Sequence, residues 1–300
     1  LLFECCNLVA IGISQSAELV QLCIEKLEKD FLRSGDINLR YLGLSALDNL
    51  ISSRPDFSVQ WMSAIYDCLD ECDPSIRKLS LRLIKGMTSK KNAMVSVEGM
   101  LKRAPAADVE FENALIEAII TMCGENRYAI VEDFAWYVRT LTALAKLPGN
   151  RHGFVIGQQL RDISVRVPAV REVLFQSVLS LVSDPKMVKS PPQSAAVLVG
   201  TVWLIGKLLS QDLAVKVLHH VLLSYLIDLN VGEFGNGTLS HNSEPSFETV
   251  FQALLMPGIS SLPAPVQALY IQAILKTCTS AKSCATDCQD VPLQEYSNLI

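Results

Sequence analysis

The sequence predicts an all-α chain built as a solenoid, in which short helical pairs stack on one another. Three observations lead to this fold class. Residues 36–50 are repeated in physical type at residues 73–87, an amphipathic run precedes each copy, and no stretch alternates polar and apolar residues as a strand would. One helical pair cannot bury its apolar face alone, so successive pairs have to pack against each other.

The two copies align with a shift of 37 residues (73 minus 36), and apolar residues recur in both at intervals of three and four. That spacing gives each helix one apolar face. Each copy starts with an aspartate able to cap free backbone N–H groups. In the second copy Pro74 follows the aspartate, at the first helical position, where a missing N–H costs nothing. An Asp turn followed by a helix that carries an apolar residue and Arg, repeated at about forty residues, is typical of HEAT and armadillo solenoids.

These matches define a set of structural repeat positions. In the first copy they are Asp36, Leu39 and Arg40, in the second Asp73, Ile76 and Arg77, and further along Val170 and Arg171. We expect the arginines to make salt bridges between repeats, or contacts within turns, that order the stack. We also expect Arg40 and Arg77 to hold equivalent structural positions.

Helical periodicity continues along most of the chain. The predicted helices lie at residues 16–31, 57–69, 109–126, 131–147, 167–182, 195–210 and 214–229, and a pair separated by a proline-containing turn lies at 247–278. Gly, Asn and Ser dominate residues 230–246, which favours a flexible loop. Residues 1–300 are therefore expected to form a single solenoid segment, with residues 280–300 as its end or the start of a linker.

The composition is that of a folded, mildly acidic protein, with 300 residues, 50% of them hydrophobic, and a net charge of −5. Nucleic-acid affinity comes largely from Lys and Arg that neutralise phosphates. Because this chain has a negative net charge and no long basic run, a nucleic-acid partner is not expected. Residues 195–205 are too short an apolar run to span a bilayer, which takes about 20 residues. Leu1 is not an initiator Met, and residues 1–13 read as a buried helix, so we expect this sequence to be an excerpt from a longer chain. It contains no stretch with the basic, apolar and small-residue pattern of a signal peptide.

The residues offer little chemistry. Nine cysteines, mostly in apolar helical runs, indicate free thiols. Cys278, Cys284 and Cys288 lack a fourth ligand nearby, and the paired His219 and His220 diverge around a helix, so no metal site is predicted. The remaining histidines, His152 and His241, lie in no catalytic motif. Catalytic, cofactor-binding and metal-binding residues are therefore all expected to be absent, and no cofactor is predicted.

Acidic pairs and aromatic residues have ordinary structural interpretations. The pairs Glu110/Glu112 and Asp70/Glu71 are expected at solvated helix ends. The neighbouring Trp136 and Tyr137 suit a peptide-binding patch, but helical spacing of the residues around them favours packing between layers.

Several segments resemble a known family. They are "LLFECCNLVAIG", "LRSGDINLRYLGLSAL", "DPSIRKLSLRLIKGMTSKKN", "FAWYVRTLTALAKLPGNRHGFVIGQQLRDISVRVPAVR" and "LPAPVQALYIQAILK". Together they resemble successive parts of the trunk of the large adaptin chains of clathrin-type adaptor complexes, and residues 134–171 most resemble the delta class, from adaptor complex three. The resemblance covers residues 1 to about 279. It is specific for a large adaptin trunk and less so for the delta class.

The resemblance implies a non-catalytic scaffold. Such trunks assemble with a small sigma-type chain, a medium mu-type chain and a second large chain of beta type. They associate peripherally with Golgi and endosomal membranes from the cytoplasm, through an Arf-type GTPase and phosphoinositides. The complex selects cargo tails, and for the delta class it sorts cargo to the lysosome or vacuole.

Other interpretations stay open at this point. Another adaptin or coatomer large chain shares the "NLRYLGL"-like and "DPSIR"-like segments. A HEAT-repeat transport receptor would wrap its cargo or GTPase as a stable monomer. An enzyme on a helical-repeat body would need an exposed thiol with a depressed pKa.

Overall fold

The structure is a computed structural model that describes residues 2–12, 16–53, 62–190, 192–208 and 247–287. Over these ranges it consists of helices, turns and connecting segments, and no strand occurs among them. The predicted all-α class is therefore confirmed. The chain divides into two compact units, residues 1–132 and 133–300, and each is described by itself.

Seven α-helices form the described part of the first unit. They are α1 (Leu2–Gly12), α2 (Ala17–Leu27), α3 (Ile37–Ser53), α4 (Met62–Asp67), α5 (Pro74–Met87), α6 (Ala93–Arg103) and α7 (Val109–Gly124), with a π-helical turn at Glu28–Leu32 between α2 and α3. The predicted helices at 16–31 and 109–126 correspond to α2 with its π-helical turn and to α7. Residues 54–61, where the helix predicted at 57–69 would start, lie outside the described residues, and α6 was not predicted.

Packing in the first unit runs from helix to neighbouring helix. Helix α3 lies against α1 and α5, and α5 lies against α7. The second half of each repeat copy supplies the core: Leu47 and Ile84, which the 37-residue shift pairs, are both fully buried. Helix α1 differs from the prediction of a buried helix, because Leu8 is 66% exposed while Cys6 is buried.

The described part of the second unit comprises α8 (Phe134–Ala145), α9 (Gly153–Arg166), α10 (Arg171–Val182), α11 (Pro185–Lys189), α12 (Pro192–Ala195), α13 (Val197–Leu208), α14 (Phe247–Leu254) and α15 (Ala264–Asp287). Helix α13 lies at the centre and packs against α9, α10 and α15. Because helices cover it on several sides, nine of its twelve residues are buried. The helices predicted at 131–147, 167–182 and 247–278 are present with shifted ends, whereas α9 and α11 were not predicted.

Two glycines allow α9 and α13 to touch through their backbones. A Cβ atom placed on Gly200 would lie 2.6 Å from the carbonyl oxygen of Gly157, and one placed on Gly157 would lie 3.2 Å from the carbonyl oxygen of Val197. The absence of both Cβ atoms therefore sets the close approach of these helices.

The predictions of a helix at 214–229 and a loop at 230–246 lie outside the described residues, as does most of 280–300. Division into two units does not test whether residues 1–300 form a single continuous solenoid segment, and this remains a prediction.

An unusual turn follows α7. Asn126, Arg127 and Tyr128 all have positive φ, at 49°, 59° and 66°, a region that costs a non-glycine residue roughly 1–2 kcal/mol. Tyr128 is buried, but Arg127 is exposed. We expect Arg127→Gly to raise the free energy of unfolding by about 0.5 kcal/mol, since relief of the strain exceeds the added freedom of the unfolded chain.

Urea unfolding followed by circular dichroism would measure this gain. Arg127→Ala is the matched control, because it removes the same side chain but keeps the Cβ atom and the strain. Equal stability of the glycine and alanine variants would show that the backbone at Arg127 is not strained.

Candidate functional site: the inter-repeat arginines

The repeat aspartates begin α3 and α5 in similar ways. Asp73 caps α5 by accepting the backbone N–H groups of Ser75 at 2.7 Å and Ile76 at 3.1 Å. Asp36 precedes α3 and accepts the N–H of Asn38 at 2.8 Å. Both carboxylates therefore satisfy N–H groups that a helix start would otherwise leave free.

The repeat arginines each reach an acidic residue 31 positions further along. Arg40 Nη1 donates to Glu71, which lies just before α5, and Arg77 Nη1 donates to Asp108 Oδ2 at 2.6 Å, just before α7. In both cases the arginine projects from the first turn of one helix to the residues that start the helix of the next repeat. The structure therefore places Arg40 and Arg77 in parallel arrangements.

The surroundings of the two arginines are also alike. Their side chains are 18% and 17% exposed, and the Nε atom of each is buried without a hydrogen-bond partner. The guanidinium of Arg77 lies 4.5 Å from the centre of the Phe111 ring on α7, which adds a cation–π contact. Each guanidinium is thus held against the protein rather than extended into solvent.

The apolar repeat positions are less alike. Ile76 is fully buried, whereas Leu39 is 36% exposed. The neighbouring Ile37 and Tyr41 are more exposed still, at 47% and 44%. The reason lies in the π-helical turn before α3: a Cβ atom on Gly43 would lie 2.7 Å from the Cβ of Phe31. Because of this close contact, the buried part of α3 begins at Gly43. Leu39 lies one turn earlier and stays partly exposed.

The third predicted pair, Val170 and Arg171, lies in the second unit at a turn. Val170 ends the 3₁₀ turn Pro168–Val170, and Arg171 is the first residue of α10. Arg171 Nε donates to the backbone carbonyl of Ser164 near the end of α9 at 3.2 Å. It therefore makes a contact within the α9–α10 turn, unlike Arg40 and Arg77.

Sequence reasoning missed the partners of these arginines. Asp70 and Glu71 were expected to be solvated. The side chain of Glu71 is only 29% exposed and pairs with Arg40, whereas Asp70 is 57% exposed as expected and also accepts two hydrogen bonds from Arg103, at 2.8 and 2.9 Å. Glu112 was also expected at a solvated helix end and is instead 4% exposed within α7. The spacing of 31 residues between Arg40 and Glu71, and again between Arg77 and Asp108, is the pattern that could have revealed the pairs.

The hydrogen bonds of Asp108 make the start of α7 sensitive to acid. The N–H of Phe111, at 2.9 Å, and then the guanidinium of Arg77 hold the pKa of Asp108 below its ordinary value of 3.8. A lowered pKa stabilises the fold fully above pH 3.8, and this contribution is lost as the pH falls below 3.8 towards the pKa of the folded state.

Asp108→Asn is therefore expected to flatten the loss of stability below about pH 4, while at pH 7 asparagine still caps α7. Urea unfolding of both proteins over the range pH 2–7 measures the effect. Parallel acid slopes for the two proteins would show that Asp108 does not contribute.

Two of the described cysteines and the neighbouring aromatic residues of α8 are buried in the core rather than exposed for catalysis or binding. Burial raises the pKa of Cys123 to about 12, and burial followed by the neighbouring Cys23 raises the pKa of Cys6 to about 12. Both shifts disfavour the reactive thiolate. Trp136 and Tyr137 are buried in α8, at 9% and 0% exposure, and thus belong to the core.

Other candidate residues lie partly outside the described chain. His152 is the residue before α9, and its N–H donates to Asn150 Oδ1 at 2.7 Å. The described residues hold no cluster of three His, Cys, Asp or Glu side chains suited to a metal. Cys288, His219, His220, His241 and the side chain of Cys284 lie outside them. Among the described helices, none is long and apolar enough to cross a membrane.

Comparison with known proteins adds a family match. The model of the adaptin N-terminal region matches residues 1–231. The chain is 30% identical over 287 residues to AP-3 complex subunit delta-1 of Bos taurus, which covers 92% of this chain and 21% of the relative. It is 34% identical over 209 residues to AP-3 complex subunit delta of Dictyostelium discoideum, which covers 69% of this chain and 18% of the relative.

The structural comparison agrees with this family match. A homology model of the full-length AP-3 complex in an intermediate open conformation aligns with a TM-score of 0.60 and 20% identity, covering 96% of this chain and 49% of the other. At that identity the alignment shows a shared fold. The chain spans about a fifth of the length of the two curated relatives described above.

Proposed function

The chain belongs to the adaptin family, in its N-terminal region, and from this premise we propose that it is a non-catalytic scaffold subunit of a heterotetrameric vesicle-coat adaptor complex. In this role it serves intracellular protein transport and sorts cargo from Golgi or endosomal membranes to the lysosome or vacuole. The observation that carries the proposal is the similarity to AP-3 delta subunits along 92% of this chain, in both Bos taurus and Arabidopsis thaliana.

The proposed partners are one small sigma-type chain, one medium mu-type chain and one large beta-type chain. An Arf-type GTPase and cargo tails join through the assembled complex, which is peripheral to Golgi and endosomal membranes on the cytoplasmic side. Nucleic acid and cofactors have no part in this proposal.

Three observations, one from the family and two from the described residues, support a scaffold over an enzyme. Members of the adaptin family are structural adaptor subunits. Stacked helices present extended side surfaces for partners, and the thiols with resolved pKa shifts are shifted away from reactivity. In the proposed function the arginines Arg40 and Arg77 keep successive repeats in register, so that such a surface is held rigid.

An affinity pull-down tests the proposal. The tagged full-length protein is recovered from the cytosol of its own cells, and stoichiometric partners are identified by mass spectrometry. We expect one beta-type, one mu-type and one sigma-type chain, in amounts equal to the bait. Recovery of the protein alone, or with a GTPase and transport cargo only, would support a transport receptor and overturn the adaptor assignment.

The same experiment separates the adaptin classes. AP-4 complex subunit epsilon-1 of Homo sapiens is 31% identical to this chain over 150 residues, which cover 50% of this chain and 13% of the relative. A second candidate is therefore a large chain of another adaptor complex. The identities of the recovered medium and small chains decide between the classes.

A further inference from the structure

Helix α5 carries a row of positive side chains on the side opposite its core face. Lys78, Arg82 and Lys85 follow one another at intervals of four and three residues, which puts them on one side of the helix. Lys90 and Lys91 lie in the turn that follows. We call these five residues the α5 basic row.

Two of the five cations already have acidic partners. The guanidinium of Arg82 donates to Asp48 on α3, and Lys90 lies 3.6 Å from Glu132, with both side chains 60% exposed. Lys78, Lys85 and Lys91 have no described carboxylate within 4 Å. Two free ammonium groups thus lie along α5, and a third lies in the turn that follows it, in a chain whose net charge is −5.

The surface beside the row is open. Gly86 is exposed, and a Cβ atom placed there would meet nothing within 4 Å. The absence of a side chain at Gly86 leaves room for the backbone of another chain to lie against α5 between Lys85 and the lysines of the turn.

We propose that the α5 basic row docks an acidic, extended segment of a partner protein. Lys78 and Lys85 are seven residues apart, which corresponds to about 10 Å along a helix. A segment in the extended polyproline II conformation advances about 3.1 Å per residue with three residues per turn, so carboxylates three residues apart lie on one side of it, about 9 Å from each other. A partner segment with Asp or Glu at every third position fits the row.

The shape of the charge distribution favours a peptide over a membrane. The row is one helix wide, and the neighbouring helix α7 carries exposed Glu110 and Glu117. Exposed carboxylates on a neighbouring helix weaken the attraction of a broad anionic surface, whereas a single extended segment can follow the lysines alone. This proposal goes beyond the adaptor function and does not depend on which complex the chain enters.

Fluorescence polarisation with the intact chain tests the proposal. The probe is a labelled Gly/Ser peptide with glutamate at every third position, and the comparison peptide has glutamine in place of glutamate. We expect binding of the glutamate peptide only, weakening as salt is added because exposed charges are screened. Lys78→Glu/Lys85→Glu should reduce the affinity by about tenfold or more, since two attractions become repulsions.

Two further variants complete the design. Lys26→Glu/Lys29→Glu reverses the same number of charges at exposed positions before α3 and should leave binding unchanged. Lys78→Gln/Lys85→Gln guards against misfolding of the reversed variant and should also weaken binding. Equal losses in the row variants and the Lys26/Lys29 variant would overturn the proposal. So would binding to vesicles containing phosphatidylserine through Lys78 and Lys85 without binding of the peptide.

Discussion

Gly200→Val is expected to lower the free energy of unfolding of the second unit by about 3 kcal/mol, the upper part of the range for overpacked cores. A Cβ atom at position 200 would lie 2.6 Å from the carbonyl oxygen of Gly157 and 2.8 Å from its carbonyl carbon and Cα. All three atoms belong to the backbone, so no flexible side chain can move aside. Helices α9 and α13 would have to separate, which would loosen the fully buried Leu160 and Val197.

Urea unfolding measured by circular dichroism gives the change in free energy, and hydrogen exchange assigns it to α9 and α13. Two units need not unfold together, so the exchange data identify which one is affected. Gly86→Ala is the matched control: its Cβ atom meets nothing, and alanine in an exposed helix gains about 0.5–1 kcal/mol over glycine. Wild-type stability of Gly200→Val would mean that α9 and α13 do not meet through Gly157 and Gly200.

The helices were the most predictable part of the molecule, because their determinants lie within a few residues of one another. Asp73 and Pro74 start α5 where the cap and proline preferences place it. The resemblance of the sequence to large adaptin chains of the delta class is confirmed by the family match and the relatives. Helix α6 was missed because Ser96 and Gly99 interrupt its short apolar pattern.

Contacts between distant residues were much less predictable. The expected salt bridges from Arg40 and Arg77 did not identify Glu71 and Asp108, because charge alone does not select one partner among 31 acidic residues. The exposure of Leu39 depends on a π-helical turn that no local pattern indicates. Likewise, Gly157 and Gly200 are far apart in sequence, and only the fold brings their backbones together.

The second large effect is expected at the repeat arginines. Arg77→Ala should lower the free energy of unfolding by about 1–3 kcal/mol, because it removes a buried aliphatic stem and the cation–π contact with Phe111. Arg40→Ala should have a similar effect, since Arg40 is 18% exposed and pairs with Glu71 in the parallel arrangement. Because both arginines join one repeat to the next, the loss should spread to the neighbouring helices rather than stay within α3 or α5.

Arg82→Ala is the control for the general effect of removing an arginine side chain from this part of the protein. Arg82 also pairs across helices, with Asp48, but its side chain is 65% exposed, and exposed pairs contribute only about 0–1 kcal/mol. Urea unfolding of the three alanine variants gives the comparison, and hydrogen exchange in α5 and α7 shows whether the loss in Arg77→Ala crosses the repeat boundary. The free energies of unfolding of Arg40→Ala and Arg77→Ala should be close to each other and clearly below that of Arg82→Ala. If the first two values differed from each other by as much as either differs from the Arg82→Ala value, positions 40 and 77 would not be structural equivalents. In that case the 37-residue shift would describe a likeness of sequence without a shared role in stacking.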